Sequence, residues 1–313
     1  MLSRVADSLF WMSRYLERAE HIARVVNVNL NLALDRSATD AGNWGRRVAS
    51  LPDPPAWSGR VVLPDSFAPD ELQRESIRAC IGVARENARQ VREEISSEMW
   101  EEINRLFLAL RRPTGDGEWI VGSHEFFTAT VNSVQMFQGV TDATMTHGEG
   151  WHFMEIGRYL ERAGSTAALL DAQYRGRVTG GPGEGFSEYV EWVAVLKSCC
   201  AFEAYCRQYT ADLRSDRIAE FLVLNSDFPR SIHFAAANIK TSLQALTGLA
   251  GRGTGRVERL AGRLTASLDY GQIDEILSDL PVYLDGIIRQ TALINAALFQ
   301  QYISYPIDSA LRA

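Results

Sequence analysis

The chain has 313 residues, 46% of them hydrophobic and 23% charged, with a formal net charge of −7 and a pI near 5.4. That balance suits a globular protein in water and excludes a nucleic-acid binder, because neutralising phosphates needs clustered positive charge. The pairs Arg46-Arg47 and Arg111-Arg112 are too small to reverse it and read as solvated helix ends.

No stretch approaches the ~20 apolar residues that span a bilayer. Arg4, Asp7 and Arg14 interrupt the opening MLSRVADSLFWMSRYLER before it reaches the length of a signal-peptide core. The four cysteines (Cys80, Cys199, Cys200, Cys206) show no CxxC spacing, and a nucleophilic role for Cys206 lacks a neighbouring histidine. They read as reduced thiols, so a cytoplasmic location is expected, away from membranes.

In chain order, apolar residues recur at helical spacing over 2–35, 70–111, 118–146, 149–174, 187–225, 229–249, 255–268 and 272–303. Asp70, Ser187 and Asp227 (ahead of Pro229) are the expected caps, and Pro281 predicts a kink or break in the last stretch. Gly and Pro gather at 51–70, 112–119, 175–185 and 250–255. Only RVVL (60–63) resembles a strand, and it is too short to imply a sheet.

The word RYLERA occurs twice, at 14–19 and 158–163, a separation of 144. Trp44 and Trp192 follow it at a similar spacing, and SIRACIGVARENARQV (76–91) lies on SIHFAAANIKTSLQAL (231–246) in one apolar phase at an offset of 155, or at 151 with Ala84 and Asn87 on Ala235 and Asn238. These are the marks of an internal repeat. The expected fold is all-α, a single pseudo-symmetric helical bundle built from two sequence-related repeats (1–145 and 146–313) packed as one domain.

On a helical wheel with Arg14 at zero, Arg18 lies about 40° to one side, His21 about 20° to the other and Glu17 at about −60°. Trp11, Tyr15, Ala19, Ile22, Ala23 and Val26 make the obvious core face. The charged stripe is itself bracketed by Phe10 and by Val25, Val28 and Leu32. Its second copy (Arg158, Glu161, Arg162) lies between Trp151 and Met154 on one side and Leu169 and Ala172 on the other. A stripe apolar at both ends belongs inside the bundle, where its charges need partners. Arg14 can pair with Glu17 on its own helix, or reach Glu161 across a pseudo-twofold while Arg158 reaches Glu17. Two arginines per glutamate leave positive charge over, to be met by Glu20, Glu86 or Glu155, or by an anionic ligand such as a peptide carboxylate.

Other signals are weaker. GVARENARQVREEISSEMWEEIN (82–104) reads as a solvated, self-paired helix carrying Arg85, Glu86, Arg89, Arg92, Glu93 and Glu94, with Asn87 the odd residue. Glu149-x-x-His152 occurs once, short of the paired motifs of a di-iron bundle, so no metal or other cofactor is expected. The aromatic stretch EFFTATVNSVQMF (125–137) fits a core or an oligomer interface equally.

At RYLERAEHIAR, and again at GVTDATMTHGEGWHFMEIGRYLERAGST (139–166), the chain resembles the bacterial alpha-E superfamily. SIRACIGVARENARQVREEISSEMWEEIN (76–104) and SIHFAAANI (231–239) look like its other signature stretches, and the resemblance spans essentially the whole chain. It implies an all-helical protein that accompanies circularly permuted ATP-grasp-like proteins and transglutaminase-like proteases, hence a role in making or processing peptide or amide bonds. It supplies no catalytic residues. The family's charged signature maps onto Arg14, Glu17, Arg18, Glu20, Glu86, Asn87, Arg89, Arg158, Glu161 and Arg162. The expected function is a non-catalytic partner that binds a peptide or small anionic group. The alternative is an enzyme of amide-bond chemistry using arginine clamps, with Glu17, Glu86 or Glu161 as general base.

Overall fold

The computed structural model describes residues 1–34, 47, 50–51, 69–110, 119–180, 185–210, 212–249, 251 and 253–304. Among them it is all-α: twelve α-helices and no strand. Helix α1 (Ser3–Leu34) precedes α2 (Pro69–Gln90), α3 (Ser97–Leu110) and α4 (Trp119–Thr144). Then come α5 (Glu149–Gly180), α6 (Gly185–Ser198), α7 (Phe202–Tyr209) and α8 (Ser215–Leu224). Helices α9 (Ile232–Leu249), α10 (Arg256–Asp269), α11 (Ile273–Ser278) and α12 (Leu280–Leu298) follow, with a π-helical turn, Phe299–Ile303, at the end.

Two of the long helical stretches are broken. The stretch 70–111 turns at 91–96, where the Ser96 hydroxyl accepts the Met99 N–H at 3.1 Å and caps α3. The stretch 187–225 becomes three helices, with Cys200 (φ 53°) and Thr210 (φ 58°) in the left-handed region. The Ala201 N–H returns to the Leu196 carbonyl at 2.7 Å, closing α6. Neither reversal uses glycine or proline, so the apolar period runs through both without a visible stop.

Capping also differs from expectation. Helices α2 and α6 start at Pro69 and Gly185, which places Asp70 and Ser187 inside their first turns. Asp227 does not cap α9. The Asn225 side chain accepts the N–H groups of Asp227 (2.9 Å) and Phe228 (2.7 Å), and Ser231 accepts that of Phe234 (3.0 Å). Pro281 stands in the first turn of α12, whose Asp279 cap marks the expected break. Trp44 and RVVL (60–63) lie outside the described residues.

Packing forms two circuits joined at one seam. Helix α1 packs on α2 and α4, with α3 closing the ring against both. Helix α5 packs on α9 and α12, with α10 closing the second ring. Each ring encloses its own apolar core. The first includes Leu9, Met12, Leu16, Ile81, Met99, Phe127 and Phe137; the second includes Leu160, Leu170, Trp192, Tyr205, Leu243 and Leu284. The seam is α1 against α5, the most extensive helix pair in the molecule. Gly150 faces Leu9, and Gly157 faces Phe10 and Arg14. Because low numbers meet low and high meet high, the two helices run side by side in the same direction. The approach is close: a Cβ on Gly157 would lie 2.5 Å from the Phe10 carbonyl oxygen.

Candidate functional site: a buried arginine–glutamate layer

Both copies of the charged stripe lie in the α1–α5 seam, between the two apolar cores. Glu17 is 1% exposed, Glu20 0% and Glu161 4%. The two Glu-Arg words exchange partners. Arg162 donates to Glu17 through Nε and Nη2 at 2.8 and 2.7 Å, and Arg18 donates to Glu161 through Nε at 2.6 Å. Each exchanging arginine also lies against the tyrosine of its own word, Arg18 at 5.6 Å from the Tyr15 ring and Arg162 at 5.4 Å from Tyr159.

Beyond that exchange the pattern loses its symmetry. Arg14 reaches Glu161 through Nε and Nη2 at 2.9 and 2.6 Å, as expected, and places Nη1 on the Asn295 side-chain oxygen of α12 at 3.2 Å. It makes no bond to Glu17 of its own helix. Arg158 does not pair with Glu17 either, because Glu155 one turn earlier on α5 takes it. The position equivalent to Glu155 in α1 is Trp11. There Arg14 has a ring 5.0 Å away instead of a carboxylate, so it crosses the seam.

The second arginine on Glu17 is Arg230, from the loop before α9, at 3.1 Å; Arg230 also donates to Glu20 at 2.6 Å. Arg24 donates to Glu20 at 2.6 Å, and the Gln138 amide of α4 donates to Glu17 at 3.1 Å. Burial pushes the Glu17 carboxyl up, but Arg162 and Arg230 outweigh it and hold it well below the usual carboxylate range. Arg14 and Arg18 likewise outweigh burial at Glu161 and lower its carboxyl from the ordinary value. Glu155 goes the other way, since burial there exceeds the pull of Arg158.

His21 sits within this layer, 4% exposed, and its Nε2 is buried without a hydrogen bond. Burial, with Arg230 nearby, lowers its pKa to about 4, so the ring is neutral at pH 7.

Arg14 and Arg18 also border a hollow of about 320 Å³ between α1, α5 and α12. Small or apolar residues make up much of the rest (Gly164, Ser165 and Ala168 of α5; Ile288, Thr291 and Ala292 of α12), and Glu161 and Asn295 add polar groups to the lining. The side chains of Arg14 and Arg18 keep 16% and 15% of their surface exposed, against 7% for Arg162 and 10% for Arg230. Arg24 and Arg158, which do not line the hollow, keep 14% and 17%, so accessible positive charge is found beside the hollow and elsewhere in the layer.

Of the ten residues singled out in the sequence, Arg14, Glu17, Arg18, Glu20, Arg158, Glu161 and Arg162 come together here. Glu86, Asn87 and Arg89 do not. Glu86 and Arg89 pair with each other on the surface of α2, and the Asn87 amide donates to the Val83 carbonyl one turn back. Arg85 of the same stretch bonds Asn104 at 2.6 Å and stacks on Phe107.

Sequence reasoning missed Arg24, Arg230, Gln138 and Asn295. The i,i+4 spacing of Arg24 from Glu20 was a usable signal, whereas Arg230 and Asn295 carry none. It also misjudged Arg47, which is buried rather than a solvated end. Arg47 donates to Asn29 of α1 at 2.8 Å and to Gln173 of α5 at 3.2 Å.

Elsewhere, Cys80 and Cys199 are buried thiols whose pKa burial raises to about 12. Phe126, Phe127 and Phe137 lie in the first core. Among the described residues no group of three or more His, Cys, Asp or Glu is placed to hold a metal ion, and no helix is long and apolar enough to cross a membrane.

The fold and site thus define an all-helical protein organised around interlocked Glu-Arg words. The chain belongs to the Alpha-E family, described as a predicted alpha-helical domain with a conserved ER motif, whose model matches residues 1–303. It is 24% identical over 327 aligned positions to an uncharacterized protein of Mycobacterium bovis and, at the same level, to uncharacterized proteins of two Mycobacterium tuberculosis strains. Each alignment covers 94% of this chain and 35% of the relative, so the chain spans about a third of the length of the curated relatives it matches. No solved structure matches it significantly.

Proposed function

We propose that the chain is a non-catalytic helical partner in a peptide-ligase or amidoligase system, built from two repeats and holding an anionic group at its arginine–glutamate layer. The carrying observation is the charge balance of that layer. Among the described residues, six arginines (Arg14, Arg18, Arg24, Arg158, Arg162, Arg230) face four glutamates (Glu17, Glu20, Glu155, Glu161). Arginine stays protonated under all ordinary conditions, so the surplus favours an anion from outside. The duplication is supported by the parallel α1–α5 pairing, by the reciprocal Glu-Arg exchange and by the matching circuits α1-α2-α3-α4 and α5-α9-α10-α12.

The partners fitting the family resemblance are an ATP-grasp-like protein and a transglutaminase-like protease. That the helical unit occupies a third of longer relatives suits a module working beside other domains. The enzyme alternative loses ground, because a general base needs a carboxylate able to take a proton near neutral pH. Glu17 and Glu161 each accept two guanidiniums and are held as carboxylates well below that range.

The test is co-purification with the ATP-grasp-like neighbour at micromolar concentration and moderate salt. Co-elution is expected, and a chain that ignores that protein sinks the partner reading. Turnover by the purified chain that is lost in Glu17→Gln with Glu161→Gln, at an unchanged melting temperature, would restore the enzyme.

A further inference from the structure

Laid on itself at a separation of 144, the repeat places Glu20, His21 and Arg24 of α1 on Gly164, Ser165 and Ala168 of α5. In the first copy these positions are filled. The Glu20 carboxylate accepts Arg24 and Arg230, each at 2.6 Å, and His21 is buried beside it. In the second copy the same positions carry no carboxylate, and all three residues line the hollow. Leu160 and Ile288 add apolar surface to this space, which Arg14, Arg18 and Glu161 also line.

We infer that this hollow binds an α-carboxylate next to an aliphatic side chain, seated where the second repeat lacks its counterpart of Glu20. The inference rests on the anion reading above and names the ligand class. Guanidinium groups match a planar carboxylate in geometry as well as charge, and the site's own pattern already pairs arginines with carboxylates. Arg14 and Arg18, which line the hollow, each keep part of their side-chain surface exposed. The volume lies at the low end for ligand pockets, enough for roughly one or two residues. Leu160, Ala168 and Ile288 suit an aliphatic chain, and Ser165 and Thr291 offer hydroxyls to an adjoining amide.

The test is calorimetric titration of the full chain with N-acetyl-alanyl-leucine, its C-terminal amide, free leucine and inorganic phosphate. The acid binds, and the amide and phosphate bind at least about tenfold more weakly. Free leucine binding as well as the peptide acid upholds the class and makes an amino acid the source; weaker binding makes it a peptide end.

Gly164→Glu supplies the missing carboxylate from the chain itself. A Cβ there meets only the Thr291 hydroxyl, at 3.7 Å, an ordinary contact. This variant should melt higher than the wild type and no longer bind the acid. Ala292→Trp, at the exposed rim, should block binding without touching a charge, and Arg18→Gln should weaken it.

Equal binding of acid and amide, phosphate binding as tightly as the acid, no binding by the wild type, or full binding by Gly164→Glu would each overturn the inference. Phosphate binding in place of the acid leaves the anion reading standing, and co-purification with the ATP-grasp-like protein leaves the partner reading standing, so each failure is distinct.

Discussion

The two ends of the charged layer carry the same six-residue word and meet different surroundings. At the Glu17 end, Arg162 and Arg230 are nearly sealed, Glu20 and Arg24 extend the network, and His21 occupies the remaining space. At the Glu161 end, Arg14 and Arg18 are partly accessible and a hollow stands where the other end has side chains. One word can thus serve as a closed lock in one half and the wall of an open site in the other. The neighbours decide which.

The largest expected effect separates these two roles. Glu17→Ala strands Arg162, leaves Arg230 to Glu20 alone, and admits little water in place of the lost carboxylate, so it should cost ~3–5 kcal/mol of stability. Glu161→Ala takes the shared carboxylate from Arg14 and Arg18 beside the hollow, where solvent and added anions can reach them, and should cost roughly 2–3 kcal/mol. Urea denaturation of the two variants measures the gap, and equal losses would remove the energetic meaning of the comparison.

His21 sharpens the closed end. Its folded pKa of about 4 lies below the unfolded value of 6.5, so the unfolded chain takes up a proton first as the pH falls. The stabilisation is complete above 6.5 and is lost toward pH 4, on the order of 3 kcal/mol in all. Glu17, Glu161, Arg24 and Arg230 face the ring, and the arginines hold both carboxyls below their ordinary value. In His21→Gln the fall in stability between pH 6.5 and 4 should flatten. An unchanged slope would place the effect elsewhere.

The seam itself is tested by Gly157→Ala, whose Cβ would press on the Phe10 carbonyl and cost ~1–3 kcal/mol by forcing α1 and α5 apart. Gly139→Ala in α4, which meets nothing within 4 Å, should instead be neutral or gain up to ~1 kcal/mol through helix propensity. The smallest effect is expected at the surface pair Glu86–Arg89. Arg89→Ala should leave the denaturation midpoint where it is, since the pair is exposed and solvent competes for both groups.

Much of the fold could be read from periodicity. The long helices α1, α4, α5 and α9 fall close to their expected spans because an apolar face repeats along each without interruption. The turns at 91–96 and 199–201 escaped notice because the apolar phase continues across them and no Gly or Pro marks the reversal. In the site, the bracketed stripe predicted burial correctly for Glu17, Glu161 and Arg162. Trp11 and Tyr15, read as core, are instead half-buried and stack on each other at 5.2 Å.

The amino-acid sequence by itself determined that the chain is helical, that one word occurs twice and that its charges need partners. Helix formation and amphipathic burial depend on neighbours within a few turns, so they are written locally. Only the tertiary structure decided that Arg162 and not Arg158 meets Glu17, that Arg230 arrives from a loop 213 positions away, and that a hollow opens beside Glu161. Those outcomes depend on how close two helices approach and on which side chain fills the space first, and no local pattern encodes either.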